Sequence, residues 1–176
     1  MKKLILLLFI PLISFSSFGQ SSSDKELAET YVELADNLSE QDDNSGAISY
    51  YSKAIEILPN WHYPYFMRGN NKIEIKDYYG AISDFTKTIE IYPNLNAYAY
   101  RGYAKYVIND YYGAIFDCTE ALKLAPDGKY AFAFYIRAIS KEEIGDVKGA
   151  CQDIKKAEDA DEFGYGYSDM VTEICK

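Results

Sequence analysis

The sequence is poor in the residues that build chemistry. Its 176 residues hold one histidine, one tryptophan, three cysteines and five prolines. A lone His62 and three scattered cysteines offer no ligand set with the spacing a transition metal demands. With no base placed for a serine or cysteine, nucleophilic catalysis has no constellation. A glycine-rich phosphate loop is missing too, since Gly164 and Gly166 alternate with tyrosines, where a turn is the simpler reading. Cations are scarce: 18 Lys+Arg stand against 27 Asp+Glu, a formal net charge of −9. Nucleic acid and anionic membrane surfaces both select a cationic footprint, so neither is an expected partner. Few prolines and 11 glycines exclude collagen-like and low-complexity chains. The expectation is a non-enzyme with no catalytic, cofactor-binding or metal-binding residues.

What the chain does have is apolar and aromatic. Hydrophobic residues make up 48% and aromatic residues 16%, with 18 tyrosines, enough for a folded domain. Residues 1–19 read as a signal peptide. Met1-Lys2-Lys3 is the positive start, Leu4 to Phe15 the apolar run, and Ser17 and Gly19 the small residues before cleavage. The run is shorter than the roughly 20 residues a membrane span needs, and no cysteine lies near the cleavage point to carry a lipid. The expected location is therefore periplasmic or secreted. Losing Lys2 and Lys3 leaves 16 − 27 = −11, in a compartment where disulfides persist. Residues 20–27 are expected to form a short polar start.

The remainder matches itself. Lys76-Asp77-Tyr78-Tyr79-Gly80-Ala81-Ile82-Ser83-Asp84-Phe85 aligns with Asn109-Asp110-Tyr111-Tyr112-Gly113-Ala114-Ile115-Phe116-Asp117-Cys118, and Gly46-Ala47 and Gly149-Ala150 fall in the same frame. The four alanines, Ala47, Ala81, Ala114 and Ala150, are 34, 33 and 36 residues apart. Twelve residues before each stands a small residue: Ala35, Gly69, Gly102 and Ala138. Pro59, Pro93 and Pro126 follow the first three alanines by twelve. Small residues let two antiparallel helices approach closely, and a proline ends the second helix. The pattern predicts helices over about 24–40, 44–58, 62–76, 78–92, 95–109, 111–125, 129–144 and 147–160. Asp43, Asp77, Asp110 and Asp146 stand at N-caps of the second helices. Residues 162–167 break the last helix, and 168–175 form a ninth that closes the open apolar end.

Arg68, Arg101 and Arg137 each precede an Asp by sixteen residues: Asp84, Asp117 and Asp153. The first repeat has neither, carrying Leu34 and Tyr50 instead. This joint presence and absence predicts an Arg–Asp pair between the two helices of each later repeat, fixing register more than adding stability.

Two helices per unit, a period near 34, small residues at the close-packing points and a closing proline resemble the tetratricopeptide repeat family. The resemblance covers 28 to about 163, as repeats 28–61, 62–94, 95–130 and 131–163, with 164–176 closing the end. It departs locally: the first repeat lacks a glycine at Ala35, Thr88 replaces an alanine, and the fourth repeat lacks the proline. The resemblance implies an all-α, right-handed α-solenoid whose first helices line a concave groove for a protein or peptide partner. Its groove positions map to Glu29, Val32, Asp36, Ser39, Tyr63, Phe66, Asn70, Ile73, Asn96, Ala99, Tyr103, Tyr106, Phe132, Tyr135, Ile139 and Glu142. The expected peptide contacts are Tyr63, Phe66, Asn70, Asn96, Tyr103, Tyr106, Phe132 and Tyr135. They suit an apolar or aromatic segment, and the near absence of cations argues against a carboxylate clamp. The competing role for these tyrosines is packing between repeats.

Cys118 falls at a core position. Cys151 and Cys175 would meet in a disulfide if the closing helix folds back, and would otherwise be separate buried thiols. His62, at a helix start beside Trp61, reads as an exposed or capping residue. The alternative to a peptide-binding module is a structural or self-associating subunit of an envelope assembly.

Overall fold

The computed structural model describes residues 22–161 and 166–176. Within them lie α1 (Ser22–Glu40), α2 (Asn44–Ile57), α3 (His62–Glu74), α4 (Tyr78–Ile91), α5 (Leu95–Val107), α6 (Tyr111–Leu124), α7 (Ala131–Glu143), α8 (Val147–Asp159) and α9 (Ser168–Ile174). The chain is all-helical over these residues. Consecutive helices pack as antiparallel pairs, and each pair packs on the next. The signal-peptide reading and residues 162–165 of the expected helix break lie outside the described residues. No described helix is long and apolar enough to cross a membrane.

The pairs form because their facing positions are nearly side-chain-free. Ala35, Ala47, Ala54, Ala81, Ala114, Ala121, Ala138, Ala150 and Ala157 are fully buried. A Cβ on Gly102 would lie 2.9 Å from Cys118 Sγ, and one on Gly69 would lie 2.8 Å from the Phe85 ring. Cys118 is itself fully buried, and that burial raises its thiol pKa far above the ordinary value. Each second helix starts at an aspartate. Asp43, Asp77 and Asp110 accept the N–H of Gly46, Gly80 and Gly113 at 3.0 Å, and Asp146 accepts that of Gly149 at 2.9 Å. In the turn before each cap one residue is left-handed: Asp42, Lys76, Asn109 and Gly145.

The structure moves two boundaries. α1 begins at Ser22, so most of the 20–27 stretch is helix rather than a loose polar start, with Asp24 favouring the first turn. α7 begins at Ala131 rather than 129, because a 3-10 turn over Pro126–Gly128 takes up the chain after α6. His62 is neither a cap nor free. Trp61 holds the cap position without a side-chain bond, and the His62 ring packs 4.7 Å from Tyr92.

Successive first helices touch, α3 with α5 and α5 with α7, more closely than successive second helices do. That difference curves the solenoid so that α1, α3, α5 and α7 lie on its inner side. At the far end α9 packs on α8. Ile174, Met170 and Val171 cover Ile154, Phe134 and Ala150, and Cys151 is bonded to Cys175.

Candidate functional site

A ladder of charges fixes the inner helices against the outer ones. Arg101 donates from Nε and Nη2 to the two carboxylate oxygens of Asp117 at 2.8 and 2.7 Å. Arg68 grips Asp84 in the same forked way at 2.9 and 2.6 Å, and Arg137 grips Asp153 at 2.7 Å through both nitrogens. Each aspartate also takes a lysine one turn further along the first helix: Lys72 at 2.8 Å, Lys105 at 2.8 Å and Lys141 at 2.7 Å. The remaining arginine nitrogen reaches back to the preceding repeat. Nη1 of Arg68, Arg101 and Arg137 donates to Ser52, Thr86 and Thr119 at 2.8, 3.0 and 3.1 Å. Burial works against the Asp153 carboxylate, but the hydrogen bonds and charges of Arg137 and Lys141 outweigh it and hold its pKa below the ordinary value. In the first repeat Leu34 is exposed, while Tyr50 packs on Tyr31 under the ammonium of Lys53, 4.3 Å from the Tyr50 ring.

The mapped groove residues separate into three groups. Phe66 and Phe132 belong to an aromatic chain between repeats. Phe66 contacts Phe85 and Tyr100 at 5.7 and 5.8 Å, and Tyr100 contacts Phe132 at 5.3 Å. Tyr100 was not among the mapped positions, yet it joins the two. Ala99, Val32 and Ile139 are buried, so these too serve packing.

Tyr63 stands at the N-terminal end with Asp36. Its hydroxyl meets both carboxylate oxygens at 3.3 Å, and the buried Tyr51 donates to the same carboxylate. Burial first, and then Asp36, raise the Tyr63 pKa. Ser39, Glu40 and Met67 complete that small hollow.

Tyr103, Tyr106 and Tyr135 form the third group, on α5 and α7, all partly buried. Partial burial raises the Tyr103 pKa, and Tyr78, Glu74 and Tyr135 raise it further. Tyr106 is raised by burial, then by Glu143, Tyr135, Tyr111 and Glu142. The Tyr106 and Tyr111 rings are 5.8 Å apart, and the Tyr135 ring lies 5.5 Å from Tyr167 of the closing segment. Of the two asparagines, Asn96 accepts from the Tyr130 hydroxyl at 2.9 Å, whereas the buried carbonyl oxygen of Asn70 has no hydrogen-bond partner. Among the described residues no group of three or more His, Cys, Asp or Glu is placed to hold a metal.

Fold and ladder together define a helical-repeat solenoid with its aromatic first helices turned inward. Residues 28–60, the first of the four units, match the family model of the tetratricopeptide repeat. Solved structures extend the likeness to the rest of the chain. MamA from Desulfovibrio magneticus RS-1 is 19% identical over 85% of this chain and 84% of that chain, with a TM-score of 0.77. YrrB, described as a TPR protein with an unusual peptide-binding site, is 20% identical over 79% of this chain and 71% of that chain, with a TM-score of 0.69. The second TPR domain of human RPAP3, in complex with the HSP70 peptide SGPTIEEVD, is 29% identical over 62% of this chain and 90% of that chain, with a TM-score of 0.57. No curated protein matches the sequence. The matched repeat and the shared architecture support a tetratricopeptide-type protein-interaction module.

Proposed function

We propose that the exported chain is a non-enzymatic module that binds a peptide segment of a partner protein along its first helices, in the periplasm or outside the cell. The observation that carries this reading is the group of Tyr103, Tyr106 and Tyr135. Phe66 and Phe132 are spent on the aromatic chain between repeats, while these three keep part of each ring accessible on adjacent inner helices. Rigid aromatic rings give large contact area at little loss of rotamer freedom, so they serve as anchors for apolar side chains. The unpaired carbonyl of Asn70 is a ready acceptor for a peptide N–H. Neighbours that bind peptides on the same fold lend the reading its class.

Affinity capture from the native envelope tests it, with tagged mature chain beside a Tyr103→Ala/Tyr135→Ala variant. A protein enriched on the first and lost on the second establishes the groove. Equal recovery on both refutes it. Recovery of the protein's own untagged copy alone would instead support the structural-subunit reading, which the Tyr167 ring over Tyr135 favours.

A further inference from the structure

We propose that the surface of Tyr103, Tyr106 and Tyr135 takes a guanidinium or ammonium side chain of the partner segment. This deepens the groove reading and rests on it. The surface presents acceptors and π faces without a donor of its own. Glu74 and Glu142 are exposed and make no ion pair among the described residues. Glu143 stands beside Tyr106 and Tyr111. Asn70, one turn before Glu74 on α3, adds its unpartnered buried carbonyl oxygen. All of these accept hydrogen bonds or attract positive charge.

The nearest cations are not available to satisfy them. Arg68, Arg101, Arg137, Lys72, Lys105 and Lys141 are each held by a buried aspartate at 2.9 Å or less. Elsewhere the chain supplies its aromatic faces with cations from within. Lys53 lies over Tyr31 and Tyr50, Arg68 over Tyr65, Arg101 over Tyr98, and Arg137 and Lys156 over Phe134, all within 5.6 Å. Tyr103, Tyr106 and Tyr135 are given none. A cation over a tyrosine face is favourable, and more so when partly desolvated. An incoming arginine would stack on these rings while donating to Glu142 and Glu143. An acidic segment would meet like charge. The HSP70 peptide held by RPAP3 carries two Glu and an Asp, so the chemistry selected here is opposite to that peptide's.

The test uses the full mature chain with ¹³C-labelled tyrosine, titrated with butylguanidinium and with its neutral isostere butylurea. The expected result is saturable shifts of the Tyr103, Tyr106 and Tyr135 ring signals with butylguanidinium, and binding of butylurea weaker by about tenfold. Replacing Glu74, Glu142 and Glu143 by Gln at these exposed positions leaves the fold intact. It should weaken butylguanidinium by about fivefold and leave butylurea unchanged. Equal response to both probes overturns the charge selection while leaving an apolar groove standing. No response, or shifts confined to Tyr79 and Tyr112, overturns it outright. The groove reading itself is judged separately by the capture experiment.

Discussion

Asp117 is fully buried, and two cations depend on it, Arg101 and Lys105. Burial of an ion pair adds little net stability, but removing one partner strands the other. Asp117→Ala strands both cations and should lower unfolding free energy by about 3–5 kcal/mol. Arg101→Met, which leaves Lys105 on the aspartate, should cost clearly less; denaturant unfolding compares the two. The arginine–aspartate relation is legible in sequence because both members are absent together from the first repeat. Lys72, Lys105 and Lys141 keep an equally constant offset, twelve residues before the same aspartates, but a lysine on a helix is ordinarily a solvated face and the eye passes over it. The groove residues were harder to sort. Phe66 and Tyr103 look alike as aromatic positions on first helices. Only the presence of Phe85 and Tyr100 in the neighbouring layers decides that one packs and the other faces out.

Among the helices, the pairing follows from small residues at fixed spacing, so element order and type are readable before any coordinates. The turns are less so. Their left-handed residue is glycine only at Gly145; the other three turns use Asp42, Lys76 and Asn109. The backbone still closes, with the N–H of Asp77 bonded to the Lys72 carbonyl at 2.8 Å. A side chain in this conformation is strained, most of all where it lacks the short polar group of Asn or Asp. Lys76→Gly should therefore raise stability by roughly 0.5–1 kcal/mol, and Gly145→Lys should lower it by a similar amount. Thermal unfolding of both variants checks the sign. The glycines at 46, 80, 113 and 149 carry a different message. A Cβ on Gly80 would fall 2.1 Å from Asp77 Oδ2, so glycine there keeps room for the cap's carboxylate. The repeat alignment marks these positions without giving that reason, which is visible only once the caps are in place.

For the molecule as a whole, each repeat leans only on its neighbours, and stability is close to a sum along the stack. The bond between Cys151 and Cys175 closes a loop with a sequence separation of 24, which in the chain-entropy view stabilises by about 3 kcal/mol. That stabilisation is local to one end. Reduction should expose α9 and then the α7–α8 pair to hydrogen exchange, while amides of α1 to α4 keep their protection; exchange read by mass spectrometry with and without reductant resolves it. Uniform loss along the chain would mean that the stack unfolds as a single unit.

The arginine ladder also gives the stack a direction. Each arginine binds within its own repeat and then reaches backward, never forward, to a hydroxyl already in place. Thr119 and its equivalents keep a second bond to the carbonyl four residues behind them, as Thr119 does to Ile115 at 2.7 Å. A hydroxyl waiting for its arginine is therefore not left bare, whereas an arginine without the earlier repeat would lack its third contact. In a chain that emerges from the ribosome N-terminus first, every newcomer finds its docking point finished. Lys155, standing where the next hydroxyl would be, offers a following arginine a like charge instead and marks where the series stops.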